Sequence, residues 1–163
     1  VKRVGVISTC FTHSTRCYPD SIEKLAPEKS VFSHGCPDLA RLVETYVGDP
    51  AGQEILDRDI RSNLDGLVYR DRVECCVLGC THFPLVAENI RRLYPGLPLI
   101  DPAEQMVQAV GDYLREQELI NDQRFQGTLE IYTTASAEEY REKAAKVGLF
   151  PVTAVREYSA TAV

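Results

Sequence analysis

The chain has 163 residues, 44% hydrophobic and 26% charged, the composition of an ordinary globular protein with material for one good core. Its net charge of -6 and pI near 5.1 offer no basic patch to hold a phosphate backbone, so a nucleic-acid partner is not expected and small molecules are favoured. No apolar run approaches the roughly 20 residues of a membrane span and no signal peptide is read at the start, which gives the expectation of a cytoplasmic protein with no membrane partner.

Residues 4–8 (VGVIS) read as a first strand, 9–15 as a polar loop and 18–25 as a helix with Pro19 near its start. A second short strand is expected at 30–33. The stretch 37–46 (PDLARLVETY) puts Leu39, Leu42, Val43 and Tyr46 on one helical face, and Pro37 stands where a helix tolerates proline, so Cys36 is placed near a helix start. Across 53–67 the apolar residues Leu56, Ile60, Leu64 and Leu67 recur among charges, the pattern of a helix packed on one face.

The run 73–78 is short, mostly apolar, preceded by charge and followed by glycine, which is how a buried parallel strand reads. A helix from Pro84 to residue 93, a strand at 97–100 ended by Asp101 and Pro102, and a long amphipathic helix at 103–119 follow. This alternation predicts an α/β fold, a doubly wound and mostly parallel sheet with flanking helices. After a polar linker the pattern restarts as strand 129–133, helix 137–147 and strand 152–158, a β-α-β tail.

The six cysteines do not suggest a disulfide framework: Cys75 and Cys76 are adjacent and cannot face the same way on a strand, and no CxxC occurs. Reduced thiols are expected, with Cys75 and Cys76 packed in their strand and Cys17 structural. In a parallel sheet all strand carboxyl ends point the same way. Three loops should therefore converge, bringing Thr9, Cys10, Thr12 and His13 from the first, His34 and Cys36 from the second, and Cys80, Thr81 and His82 from the third.

A thiol on a loop that leads into a helix can be held as thiolate by the helix amino end and a nearby imidazolium, and can then act as nucleophile or base. An isolated Cys-x-His reads more readily as a strand-end cysteine beside a satisfied histidine, and it is the strand-loop-helix context that brings the two readings level. Zinc is a third reading, but the pairs His34/Cys36 and Cys80/His82 each enclose a single residue, where structural zinc prefers two to four. Glu44, about two helical turns beyond Cys36, joins the site only if its helix packs beside the strand mouths.

The segment LGCTHFPL (78–85) closely resembles the second catalytic motif of glutamate racemase, of the aspartate/glutamate racemase superfamily. GVISTCFTHSTRCY (5–18) resembles the loop that opens that family's second domain, CPDLARLVE (36–44) its Cys-Pro helix ending in Glu, and LIDPAEQMVQAV (99–110) and IYTTASAEEYREKAAKVG (131–148) its closing segments. The resemblance implies racemisation of glutamate by two cysteine thiols without cofactor or metal, with D-glutamate destined for peptidoglycan. It implies Cys80 as one catalytic thiol, His82 as the assisting histidine, Glu44 as the acidic residue acting through it, and Thr81, Thr12 and Thr9 at substrate-binding positions. His82 favours glutamate over aspartate, since aspartate racemases usually carry Glu there.

The family's first domain and its Ala-Cys-Asn-Thr motif have no counterpart in these 163 residues, which open at Val1. The chain is therefore read as the second half of a glutamate racemase: domain 1–120, linker 121–128, and a segment 129–163 that in family members completes the first domain. A half-site alone should be inactive or weakly active. Two competitors stand beside this reading, a related racemase or decarboxylase acting on another substrate such as aspartate, and a folded but non-catalytic fragment. Family members often form a homodimer, and the apolar surface a separated tail would expose predicts self-association.

Overall fold

The computed structural model describes residues 1–121, 127–148 and 152–159. The chain divides into two units, Val1–Glu118 and Leu119–Val163. Part of the expected linker, residues 122–126, and the ends of the tail, residues 149–151 and 160–163, lie outside the described residues.

The first unit is built on a four-stranded sheet in the order β2-β1-β3-β4, formed by β1 (Arg3–Thr9), β2 (Ser30–Cys36), β3 (Cys75–Gly79) and β4 (Leu99–Ile100). Every pairing is parallel: β1 and β2 run in register from Arg3↔Ser30 to Thr9↔Cys36, and β1 and β3 from Val4↔Cys75 to Ser8↔Gly79. Parallel strands need crossovers, and these are supplied by α1 (Cys10–Ser14), α2 (Cys17–Leu25), α3 (Leu39–Tyr46), α4 (Gln53–Asp65) and α5 (Ala87–Leu93), with α6 (Pro102–Glu116) after β4.

The period of two along a strand separates the two faces. On β3, Cys76 and Leu78 enter the main core with Leu39, Val43, Leu56, Ile60, Leu64, Phe83, Val86 and Ile90 from α3, α4, the turn before α5 and α5 itself. Cys75 and Val77 face the other way and pack with Val4 and Val6 against Tyr18 and Ile22 of α2. Helices cover both faces, so the sheet is doubly wound as expected, and Cys75 and Cys76 pack inside their strand on opposite sides.

Several boundaries differ from the sequence reading for local reasons. The expected loop 9–15 contains a single helical turn, α1, because the Thr9 hydroxyl accepts the amide of Thr12 at 3.2 Å and caps it. β2 runs on to Cys36 instead of stopping at residue 33, because β1 pairs with it along its whole length. α4 ends at Asp65 and passes into a wider turn, Gly66–Arg70.

The second unit is a β-α-β element: β5 (Glu130–Thr133) and β6 (Ala154–Glu157) pair in parallel, and α7 (Ala137–Lys146) connects them. Ser136 caps α7, and among the described residues of this unit Ala137 and Ala144 of α7 and Val155 of β6 are buried.

Candidate functional site

In the order β2-β1-β3-β4 the chain leaves β1 toward β2 on one side and then crosses back to β3 on the other. The carboxyl ends of β1 and β3 thus form the topological switch point, the place where open α/β sheets leave a crevice for ligands. A cavity of about 590 Å³ lies there, lined by Thr9 and Thr12 after β1, Tyr18 of α2, Cys80 and Thr81 after β3, and Asp101 after β4. Apolar groups, among them Leu78, Pro84 and Met106, complete its wall.

Cys80 is half-buried. Its Sγ lies 3.8 Å from His82 Nδ1, and His82 Nε2 lies 2.9 Å from Glu44 Oε1. An ionised carboxylate only accepts, so Nε2 carries the proton in this contact, and in the neutral imidazole Nδ1 is then the bare acceptor facing the thiol. Glu44 comes from α3, 38 residues away, so α3 does pack beside the mouth of β3. The sequence segments 36–44 and 78–85 meet at this contact. His82 and Glu44 stand behind the thiol and are not among the residues lining the cavity.

The threonines are also ordered by hydrogen-bond polarity. Thr9 Oγ1 accepts the Thr12 amide and donates to Thr12 Oγ1 at 3.0 Å, so the Thr12 hydroxyl keeps its own proton to offer outward. Thr81, also on the cavity wall, is exposed.

Other expected members are elsewhere. His34 and Cys36 belong to β2 itself rather than to a loop beyond it. His34 Nε2 is 3.1 Å from Asn63 Oδ1, and Cys36 is in the core, 2% exposed, its thiol pushed up to about 12 chiefly by burial. His13 Nδ1 is 2.8 Å from Ser33 Oγ, on the β2 side. Cys10 is exposed on α1 and does not line the cavity, and Cys17, expected to be structural, is exposed. Among the described residues no group of three or more His, Cys, Asp and Glu is placed to hold a metal.

Two wall residues escaped the sequence reading. Tyr18 was legible only as a helix member, and Asp101 only as the end of a strand. The signal for Asp101 was available, since it follows a parallel strand and so must lie at the same sheet edge as Thr9 and Cys80. Burial, and after it Cys17, Cys80 and Asp101, raise the Tyr18 phenol above its ordinary value.

A family model described as Asp/Glu/Hydantoin racemase matches residues 1–110, the whole sheet and the cavity with it. The chain belongs to the Asp/Glu/Hydantoin racemase family. Among its relatives a glutamate racemase of Streptococcus thermophilus is 34% identical over 144 residues, 86% of this chain and 51% of that protein. The glutamate racemase of Thermus thermophilus, solved with beta-chloro-D-alanine, matches at 29% identity and a TM-score of 0.78, over 98% of this chain and 57% of that one. That of Francisella tularensis, solved with D-glutamate, superposes with a TM-score of 0.86 over all of this chain and 60% of its own; at 23% identity it speaks for the racemase fold alone. The chain spans about half the length of the curated racemases it matches. No helix among its described residues is long and apolar enough to cross a membrane.

Proposed function

We propose that this chain carries one acid/base face of a glutamate racemase site, with Cys80 as the thiol that removes or returns the α-proton. The observation that carries the reading is the series Cys80–His82–Glu44 standing at a cavity over the switch point. His82 Nδ1 takes the thiol proton, generating thiolate, and Glu44 stabilises the imidazolium that results. When the thiolate takes the α-proton it becomes a thiol again, and the same proton can be returned on the same face. Inversion requires a second donor on the opposite face of the planar carbanion.

Cys80 is the sole thiol among the residues lining the cavity, so the second donor belongs to another surface, by family the first racemase domain. The wall residues include no lysine, arginine or histidine, and the substrate's carboxylates would be held by the Thr12 and Thr81 hydroxyls and by backbone amides. Glutamate as substrate is supported by the relatives and by His82. A cytoplasmic role in supplying D-glutamate to peptidoglycan, and homodimerisation, extend the same family reading. No cofactor takes part in these steps.

The test follows the α-proton of glutamate by NMR in deuterated water and the optical rotation of the same sample by circular dichroism, for the chain and for Cys80→Ala. Exchange that disappears in Cys80→Ala without racemisation in either is the expected result. Exchange unaffected by Cys80→Ala would overturn the assignment of the thiol.

A further inference from the structure

We propose that the ring of Tyr18 is the positioning element that holds the Cys80 thiol in place for His82. The inference rests on the reading of Cys80 as the acid/base thiol and deepens it by assigning the residue that fixes its backbone. Tyr18 stands in the first turn of α2 and packs from there with Val4 and Val6 of β1 and Cys75 and Val77 of β3, the two central strands. The same residue contributes to the cavity wall beside Cys80 and Thr81. Its ring meets the chain at Gly79, the last residue of β3 and the one bonded to Cys80.

A Cβ on Gly79 would lie 2.8 Å from Tyr18 Cε2. With a C–C bond of about 1.5 Å, that ring atom is no more than about 4.3 Å from the Gly79 Cα, which is van der Waals contact. Ile7 O at 2.9 Å and Ser8 Cβ at 3.2 Å bound the same position from β1. The end of β3 is therefore wedged between a ring from α2 and the chain of β1, and these two neighbours set the direction in which Cys80 leaves the strand. That direction matters because Cys80 and His82 are two residues apart and their Sγ and Nδ1 are separated by 3.8 Å. A displacement of about 1 Å at such a pair can cost about a hundredfold in rate. Glu44 steadies the imidazole from α3, and Tyr18 steadies the thiol from α2. The contact is made by a ring carbon, so the ring carries this role and the phenol oxygen does not.

The experiment is a double-mutant cycle read on the thiol itself: the rate at which iodoacetamide labels Cys80 of the full chain at pH 7, followed by peptide mass spectrometry, with the exposed Cys10 as internal reference. In the wild-type background His82→Ala is expected to slow Cys80 by about tenfold or more, because no imidazole then takes the thiol proton. In the Tyr18→Leu background the same substitution should change the rate by about twofold or less, and in Tyr18→Phe, which keeps the ring, the full effect should return. Comparing the ratios cancels any change in access to the thiol. Continued protection of the buried Cys36 and Cys76 shows that a variant is folded, and should Tyr18→Leu fail that check, Tyr18→Met carries the same comparison. An undiminished His82 effect in Tyr18→Leu overturns the proposal and leaves Tyr18 a packing residue. Loss of the effect in Tyr18→Phe overturns it as well, since the ring alone would then not suffice. Absence of any His82 effect in the wild-type chain would instead sink the thiol reading, and the proposal with it.

Discussion

Glu44 Oε1 lies 2.9 Å from His82 Nε2, and this contact turns the other imidazole nitrogen, as an acceptor, toward the Cys80 thiol 3.8 Å away. The two side chains are 41% and 33% exposed, which limits what the contact can contribute even when the imidazole is charged. Exposed pairs are worth about 0.2–1 kcal/mol, so Glu44→Gln should slow Cys80-dependent α-proton exchange by about fivefold at most. Removing the proton acceptor itself, in His82→Ala, should cost about a hundredfold or more. Exchange rates for the two variants check the ranking, and a Glu44→Gln defect as large as that of His82→Ala would contradict it.

Gly79, directly before the thiol, has no room for a side chain. A Cβ there would stand 2.8 Å from Tyr18 Cε2 and 2.9 Å from Ile7 O. The phenol ring could shift, but the carbonyl belongs to the central strand and cannot. Gly79→Ala should therefore destabilise the fold by about 1–3 kcal/mol, and Tyr18→Ala in the same chain should recover only part of the loss. Denaturant midpoints of the single and double variants measure both; full recovery would show that the backbone contact is harmless.

Much of this was readable from the sequence because the signals were local. The apolar run ending in Gly79 and the Pro84 turn defined the strand and the loop that carry Cys80, and the apolar positions Leu39 and Val43 defined the helix that carries Glu44. What the sequence could not give was lateral order. Where β2 stops is decided by its pairing with β1, and that pairing is why His34 and Cys36 lie inside a strand rather than at the site. Asp101 and Tyr18 were missed for the complementary reason: each has an ordinary local role, a cap and a helix residue, and only the order β2-β1-β3-β4 brings them to one cavity.

The six thiols should differ sharply in reactivity. Cys36 and Cys76 are 2% and 0% exposed, and burial pushes both up to about 12, so at pH 8 only about one in 10⁴ of either is thiolate. Cys10 and Cys17 are exposed. Brief treatment of the native chain with iodoacetamide at pH 8, followed by peptide mass spectrometry, should label Cys10 and Cys17 and spare Cys36 and Cys76. Labelling of Cys76 at the rate of Cys17 would mean that β3 opens far more readily than a fully buried central strand should.

The same burial sets a limit at alkaline pH. Cys36 and Cys76 have an ordinary value of 9.0 and are held as neutral thiols up to about 12 in the folded chain. Above pH 9 the unfolded chain therefore binds fewer protons than the folded one, and stability must fall as pH rises, by about 1.4 kcal/mol per pH unit for each thiol until the folded values are reached. Below pH 9 this contribution is fully present. Tyr94, raised by burial and then by its bond to Asp65, adds a loss of the same sign at higher pH. Cys76→Ala forfeits packing and will be less stable at every pH, so the informative quantity is the slope: unfolding free energies measured from pH 8 to 11 should fall less steeply in Cys76→Ala than in the wild type. Parallel slopes would show that the Cys76 thiol ionises as easily in the folded chain as in the unfolded one.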